Sequence, residues 1–379
     1  MRPSASVLSL FLAAPLVAAI AACSPGRDLA PTTSSTGTGG STTGGAGGTT
    51  TTGEGGSTTT TTTTPEPSGP TKLTVLNGIN DYDAIRVCFV PYPEGPEVDP
   101  WPSSPAGLAF KKAVTVDPPS SLSVGGADVQ PHVLAGDLSA IAGMSCSEAL
   151  ALAASGGGGG GAGGSGGSGG SGGAGGGQGA PPPIVVSAMP VIPASVFEAE
   201  KSLLLAFFGC IGGPDHADGT EGLGCGFSFT PTTPTASLTL VAMSRITDPD
   251  KISLQFVHAS AAMQPSDIRI TPGFDNVVDV PVAKALALGG LGPKPPFTGL
   301  ARVDYGSLSK VALKTFAPND VYPTSALFLQ DALANGGLQD TAFQNGASFT
   351  IVAIGGYPGV SFPSFWRPFT YVMIPSDPE

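Results

Sequence analysis

Prolines and glycines punctuate residues 71–379 so densely that short strands dominate a reading of that stretch. Its apolar runs are short, mostly about four to eight residues, and are closed by Pro, Gly, Asn or Asp. Proline removes a backbone donor and glycine loses the most entropy in a regular element, so this punctuation favours short strands joined by turns. Candidate strands fall at 72–76, 84–91, 113–116, 202–208 and 237–243. A second set falls at 252–258, 267–271, 300–305, 311–316, 348–354 and 369–374. Ile252-Ser253-Leu254-Gln255-Phe256-Val257 largely alternates apolar and polar, as a half-buried strand requires. Two helical patches interrupt the strands. One is 134–154, Ala/Leu-rich with Asp137 near its start, and the other is 325–334, stopped by Asn335-Gly336-Gly337. Many short strands at regular spacing predict an all-β sandwich.

The pattern occurs twice. Leu73-Thr74-Val75-Leu76-Asn77 followed by Ala84-Ile85-Arg86-Val87 is echoed by Leu254-Gln255-Phe256-Val257-His258 followed by Asp267-Ile268-Arg269-Ile270. The apolar run 203–209 ending in Gly212-Gly213 is echoed by 350–356, and each half closes on one more strand. Four matches in the same order predict two tandem copies of one domain.

Outside these halves the composition is biased. Residues 24–70 carry Thr-Gly repeats and a run of threonine at 58–64, and cannot bury enough apolar surface to offset their entropy. As a coil such a tether reaches roughly 40 Å. Residues 155–180 are nearly all glycine, and their G-x-G-x-x-G matches arise by chance, without the strand and helix that give the motif meaning. Residues 1–22 read as an export signal, with Arg2 ahead of an apolar run that ends in small residues directly before Cys23. That ending resembles a bacterial lipoprotein signal, which implies cleavage before Cys23 and lipidation of its thiol. The expected organisation is a signal at 1–22, a disordered tether at 23–70, a first sandwich at 71–247 and a second at 248–379.

Charge narrows the partners. Net charge is -12 with 16 Lys and Arg, which excludes the basic footprint of a nucleic-acid binder. Lipidation of Cys23 leaves Cys88, Cys146, Cys210 and Cys225, an even set in an exported protein. Of three possible connectivities we favour Cys210 with Cys225, closing a short Gly-rich loop, and Cys88 with Cys146. No C-x-x-C spacing points to zinc.

Val257-His258-Ala259-Ser260, then Asp267-Ile268-Arg269-Ile270 and later Phe349-Thr350-Ile351-Val352-Ala353-Ile354-Gly355, resembles a bacterial module, domain-of-unknown-function family 4397. Its members read V-x-H-x-S-P-D-A-P-x-V-D-V-Y near the start and Y-T-V-V-A-x-G near the end. The resemblance covers approximately residues 250–376 and departs at 261–266, where Ala-Ala-Met-Gln-Pro-Ser stands in place of P-D-A-P. The first half matches more loosely, with Asn77-Gly78 where the family has His-x. The tether and the Gly-rich insert look like those of myxobacterial surface lipoproteins. The resemblance implies an extracytoplasmic β-sandwich, often tandem, and carries over no catalytic residue.

Candidate chemistry is sparse. His258 sits two residues from Ser260 on a strand end, a poor base–nucleophile pair without an orienting group or oxyanion hole. No G-x-S-x-G or H-E-x-x-H occurs. Asp215, Asp218 and Glu221, with His216 among them, form the densest ligand cluster and are weak candidates for calcium. Asp248-Pro249-Asp250 at the junction is a weaker one. Asp81 and Asp83 are the carboxylate pair for glycoside hydrolysis, although aspartates at i and i+2 usually cap turns. Trp101 and Trp366, in Pro-rich loops, are weak binding candidates that equally suit plugs for sandwich ends.

The expected protein is therefore all-β, with two tandem Ig-like or transthyretin-like sandwiches, short helical insertions and a disordered tether. It is a non-catalytic envelope lipoprotein that meets the membrane through lipid on Cys23. It is a binding, adhesion or structural module of unknown ligand, a glycan or envelope protein being the candidates, and no cofactor is expected. Ser24 stands where an Asp would signal inner-membrane retention, so the outer membrane is the expected site. The alternative is an extracytoplasmic hydrolase of polysaccharide or peptide.

Overall fold

The computed structural model describes residues 68–117, 119–122, 124, 126–156, 184–197, 200–213, 216, 219–273, 278–360 and 366–377. The signal, Cys23, the tether up to 67, residues 157–180 of the glycine insert, Asp215 and Asp218 lie outside them.

Among the described residues sixteen strands form two sets of eight. The first set is β1 (Lys72–Ile79), β2 (Ala84–Pro91), β3 (Leu108–Ala109), β4 (Ala113–Val116), β5 (Val129–Gly136), β6 (Ile184–Ala188), β7 (Ser202–Gly209) and β8 (Ser237–Met243). The second is β9 (Ser253–His258), β10 (Ser266–Thr271), β11 (Val280–Leu286), β12 (Leu291–Phe297), β13 (Ala312–Phe316), β14 (Ser325–Phe328), β15 (Ser348–Ile354) and β16 (Thr370–Pro375). Sheet orders are β4-β1-β7-β8 and β3-β2-β5-β6 in the first set. In the second they are β12-β9-β15-β16 and β11-β10-β13-β14, the same orders with eight added to each strand. Even the parallel strand pairing recurs, β1 with β7 from Lys72↔Ser202 and β9 with β15 from Ser253↔Ser348. The duplication is thus visible in topology as well as in residues.

Each set encloses a core between its two sheets. In the first, Leu73, Val75, Leu203 and Leu205 face Val87 and Val133. In the second, Phe256 and Ile351 face Ile268, Ile270 and Leu313. The outer strand β10 alternates buried and half-buried residues, as one covered face dictates. Strand β7 does not alternate, because all eight of its residues are buried. Its odd side chains point into the first core, while Leu204, Ala206 and Phe208 join a third apolar layer. That layer also takes Leu76 from the first set and Val257, Val352, Ile354 and Val372 from the second. The two inner sheets therefore pack face to face, giving four layers in all. Register shows that the contact uses equivalent positions: Leu76 pairs with Ala206 as Val257 pairs with Val352. Such self-complementarity is the pattern of a two-fold dimer interface, here built within one chain.

Several local expectations change. Residues 300–305 are not a strand: Arg302–Tyr305 is a helical turn, held by the Ala301 N–H donating to Asp304 Oδ2 at 2.8 Å and ended by Gly306 at φ 65°. The proposed helix at 134–154 splits. Strand β5 runs through Gly136, Asp137 caps the turn Leu138–Ile141, and the helix covers only Cys146–Gly156. At 325–334 four strand residues precede the helix Leu329–Asn335.

Candidate functional site

The most concentrated polar chemistry gathers where β1, β7 and β15 end. Directly after β1, Asp81 is only 2% exposed. Its Oδ1 accepts the Ile211 N–H at 3.1 Å, and its Oδ2 accepts the Gly212 N–H at 2.7 Å. Gly212 and Gly213 have φ of 88° and 151°, which turns this stretch of backbone into a concave, anion-binding loop that side chains with a Cβ would resist. His216 Nδ1 lies 3.0 Å from Asp81 Oδ2. Tyr82 donates its hydroxyl to the Gly212 carbonyl at 2.8 Å, and its ring centroid is 4.8 Å from that of His216.

The second sandwich closes this cluster. Trp366, 3% exposed, stands edge-on to His216 and to Phe229, with ring centroids 5.8 and 5.7 Å away. Together with Phe229 it packs on the Cys210–Cys225 disulfide, whose Cα atoms are 5.5 Å apart. The Asn80 carbonyl accepts the Arg367 N–H at 2.9 Å, the Asn80 amide donates to the Gly224 carbonyl, and Arg367 pairs with Asp83. The Tyr357 N–H donates to the Leu223 carbonyl at 2.7 Å. A loop of each sandwich is thus laced into the other.

An Asp–His pair is two thirds of a hydrolytic triad, and a hydrolase also needs backbone N–H groups aimed at substrate. Here the two adjacent amides, of Ile211 and Gly212, are consumed by Asp81 itself. The pair anchors the loop after β7 to the turn after β1. Sequence reasoning placed Asp81 in a capping role but not its partners, which lie 130 and 131 positions away. Gly212-Gly213 directly after an apolar strand was the available signal.

The other candidates separate. His258, 2% exposed, has Nε2 3.0 Å from the Gln264 carbonyl and accepts the Ser260 N–H on Nδ1 at 3.3 Å. Burial pushes its pKa below the usual histidine range, against the opposing pull of the Gln264 carbonyl. The Ser260 hydroxyl donates to the Gly355 carbonyl at 2.7 Å and not to the imidazole. Asn77 does the same work in the first copy: its Oδ1 accepts the Ile79 N–H and its Nδ2 donates to the Leu108 carbonyl. Trp101 is half-buried, its backbone bridged to Val87 and its ring edge-on to Phe89. Buried Arg86, which sequence reasoning passed over, fixes that loop by donating to the Pro100, Pro102 and Ile141 carbonyls.

Glu221 accepts the Gly219 N–H at 3.0 Å, and Asp248 accepts the Asp250 N–H at 3.0 Å, both as turn caps. Among the described residues no three His, Cys, Asp or Glu side chains converge. Among the described residues, Glu97 and Asp279 have carboxyls held below the ordinary range. Glu97 is lowered by the Ser147 backbone, while Asp279 is pushed up by burial but held down overall by Thr271, Lys314 and Arg269.

Cys88–Cys146 and Cys210–Cys225 are both formed, with the connectivity favoured from sequence. Two disulfides place the folded part in an oxidising, extracytoplasmic compartment. Among the described residues no helix is long and apolar enough to cross a membrane. No protein-family model matches the chain, and no curated protein is similar to it.

Proposed function

We propose that this chain is a cell-envelope lipoprotein, cut before Cys23 and held by lipid on that residue, whose paired sandwiches form a non-catalytic binding or structural module. The observation that carries the reading is the use made of the Asp81–His216 cluster. Its carboxylate is filled by two backbone amides and an imidazole, and its histidine is covered by Trp366. The same residues in a hydrolase would face a substrate. The disulfides, the export-type N-terminus and the Thr/Gly tether support the envelope, and Ser24 after Cys23 supports the outer membrane. The likeness to family 4397 rests on the motifs of the second half and agrees with an extracytoplasmic sandwich.

Intact-mass spectrometry of protein from native membranes tests this. The expected mass lacks residues 1–22 and carries acyl chains on Cys23. Reduction of two disulfides adds about four mass units, two hydrogens for each. An unlipidated mass would overturn the anchor, and four free thiols would overturn the export argument.

A further inference from the structure

A solvent-open cleft of about 450 Å³ lies between the sandwiches, at the same end as Asp81. Phe208 and Leu288 supply its apolar wall, and Ser228 and Ser237 its open hydroxyls. Among the described residues no ionisable side chain lines it. Both walls are held in place. Thr235 donates to the Cys225 carbonyl at 2.8 Å, so the disulfide loop braces one side. Thr239 donates to the Gly289 carbonyl at 2.7 Å, pinning the turn between β11 and β12 on the other. At Gly226, φ 90°, an added Cβ would stand 2.6 Å from the Ala261 carbonyl, so only glycine lets the loop approach the second sandwich this closely. Beside Ser228, Phe227 exposes 78% of its surface.

Size and place suit a small ligand, since such sites run from about 300 Å³ upward and favour domain interfaces. The lining selects its chemistry. A charged ligand entering a wall without ions would lose hydration and gain no partner. A purely apolar one would leave the Ser228 and Ser237 hydroxyls without a partner in the ligand. An extended peptide needs a run of free strand backbone, and only Ser237 and Leu238 of β8 reach the cleft. A sugar ring meets both demands, laying its C–H face on Phe208 and Leu288 and its hydroxyls on Ser228 and Ser237. We infer that this cleft binds a neutral saccharide of about one to two rings. The inference rests on the reading of the chain as a binding module and gives that module its ligand class.

The test uses the full chain with its disulfides intact. Saturation-transfer NMR and calorimetry are run with maltotriose, cellotriose and triacetylchitotriose, each up to about 10 mM, the range of weak recognition. The expected result is binding of at least one of them. It should weaken by about tenfold or more in Ser237→Phe, which fills the cleft. Leu288→Ser, at a half-exposed position, removes apolar wall without threatening the fold and should weaken binding as well. An acidic heparin-type disaccharide should not bind. Binding of none of the three neutral sugars, binding untouched in both variants, or equal binding of the acidic sugar would overturn the site. Chromatography of the sugars after incubation separates the two claims. Cleavage would overturn the non-catalytic reading and keep the site, whereas absent binding would remove the site and leave the lipid-anchored module standing.

Discussion

Replacing Asp81 by alanine isolates what the buried carboxylate contributes. The side chain accepts from two backbone amides and lies within hydrogen-bonding distance of His216 Nδ1, at 3.1, 2.7 and 3.0 Å. Its removal leaves the Ile211 and Gly212 N–H groups buried in a glycine loop that the Cys210–Cys225 bond prevents from swinging away. Each orphaned buried donor costs about 1–3 kcal/mol, and water entering the vacated space recovers part of the sum. We expect Asp81→Ala to lose about 4 kcal/mol of unfolding free energy, in the range of broken buried polar networks. Asp81→Asn keeps one acceptor but turns an NH2 toward a donor, so it should lose about 2 kcal/mol. Guanidinium unfolding with disulfides intact, followed by the fluorescence of Trp101 and Trp366, measures both, and amide exchange at Ile211 and Gly212 localises the effect. An Asp81→Ala loss within about 0.5 kcal/mol, the scale of ordinary surface substitutions, would refute the anchoring role.

At the seam, Leu204→Ala should cost about 2–5 kcal/mol, and thermal melting should show one transition for both sandwiches, because Leu204 packs between their inner sheets. His258 gives a pH signature. Its folded pKa is depressed, so its contribution is complete above about pH 6.5, the unfolded value, and is lost as pH falls toward the folded value. In His258→Asn, which copies Asn77, unfolding free energy should fall by about 1 kcal/mol at pH 8 and lose less on acidification to pH 5 than the parent. By the loop-entropy relation, removing Cys88–Cys146, separated by 58 residues, should cost about 4 kcal/mol. Removing Cys210–Cys225, separated by 15, should cost about 3 kcal/mol, a ranking that denaturant midpoints of the paired serine variants would check.

The strands were legible where turn chemistry bounds them. The ranges 84–91, 113–116, 237–243 and 348–354 coincide with β2, β4, β8 and β15 because Pro, Gly, Asp or Asn stands close to their ends. The start of strand β5 was missed because Pro131 and His132 break its apolar run, and its last three residues were read as helix because Leu134 leads into an Ala/Leu-rich stretch. Strand β12, with prolines at 293, 295 and 296, was missed for the reason that confines it to a sheet edge. Tandem copies were expected as neighbours, yet the unbroken apolar run of Leu203-Leu204-Leu205-Ala206-Phe207-Phe208 already required cover on both faces. The site was least legible. Asp81 meets its partners across more than a hundred residues, and Trp366 reaches His216 from the other copy. Periodicity carries no record of such contacts.

Arg245 gives the duplicated stack a mechanical character. Its guanidinium donates to the carbonyls of Pro70 and Glu200 and pairs with Asp377, gathering the entry of the described chain, the approach to β7 and the last residues at one point. The cleft and the Asp81 cluster lie at the opposite ends of the strands. Tension arriving through residue 70 therefore runs along β1, a central strand bonded on one side to β4 and on the other to β7 through eight residue pairs. A strand loaded along its own length gives way only when its ladder shears as a whole, whereas one peeled from an edge opens pair by pair. A pull on the chain at residue 70 would therefore meet the shear resistance of the β1 ladders as a whole.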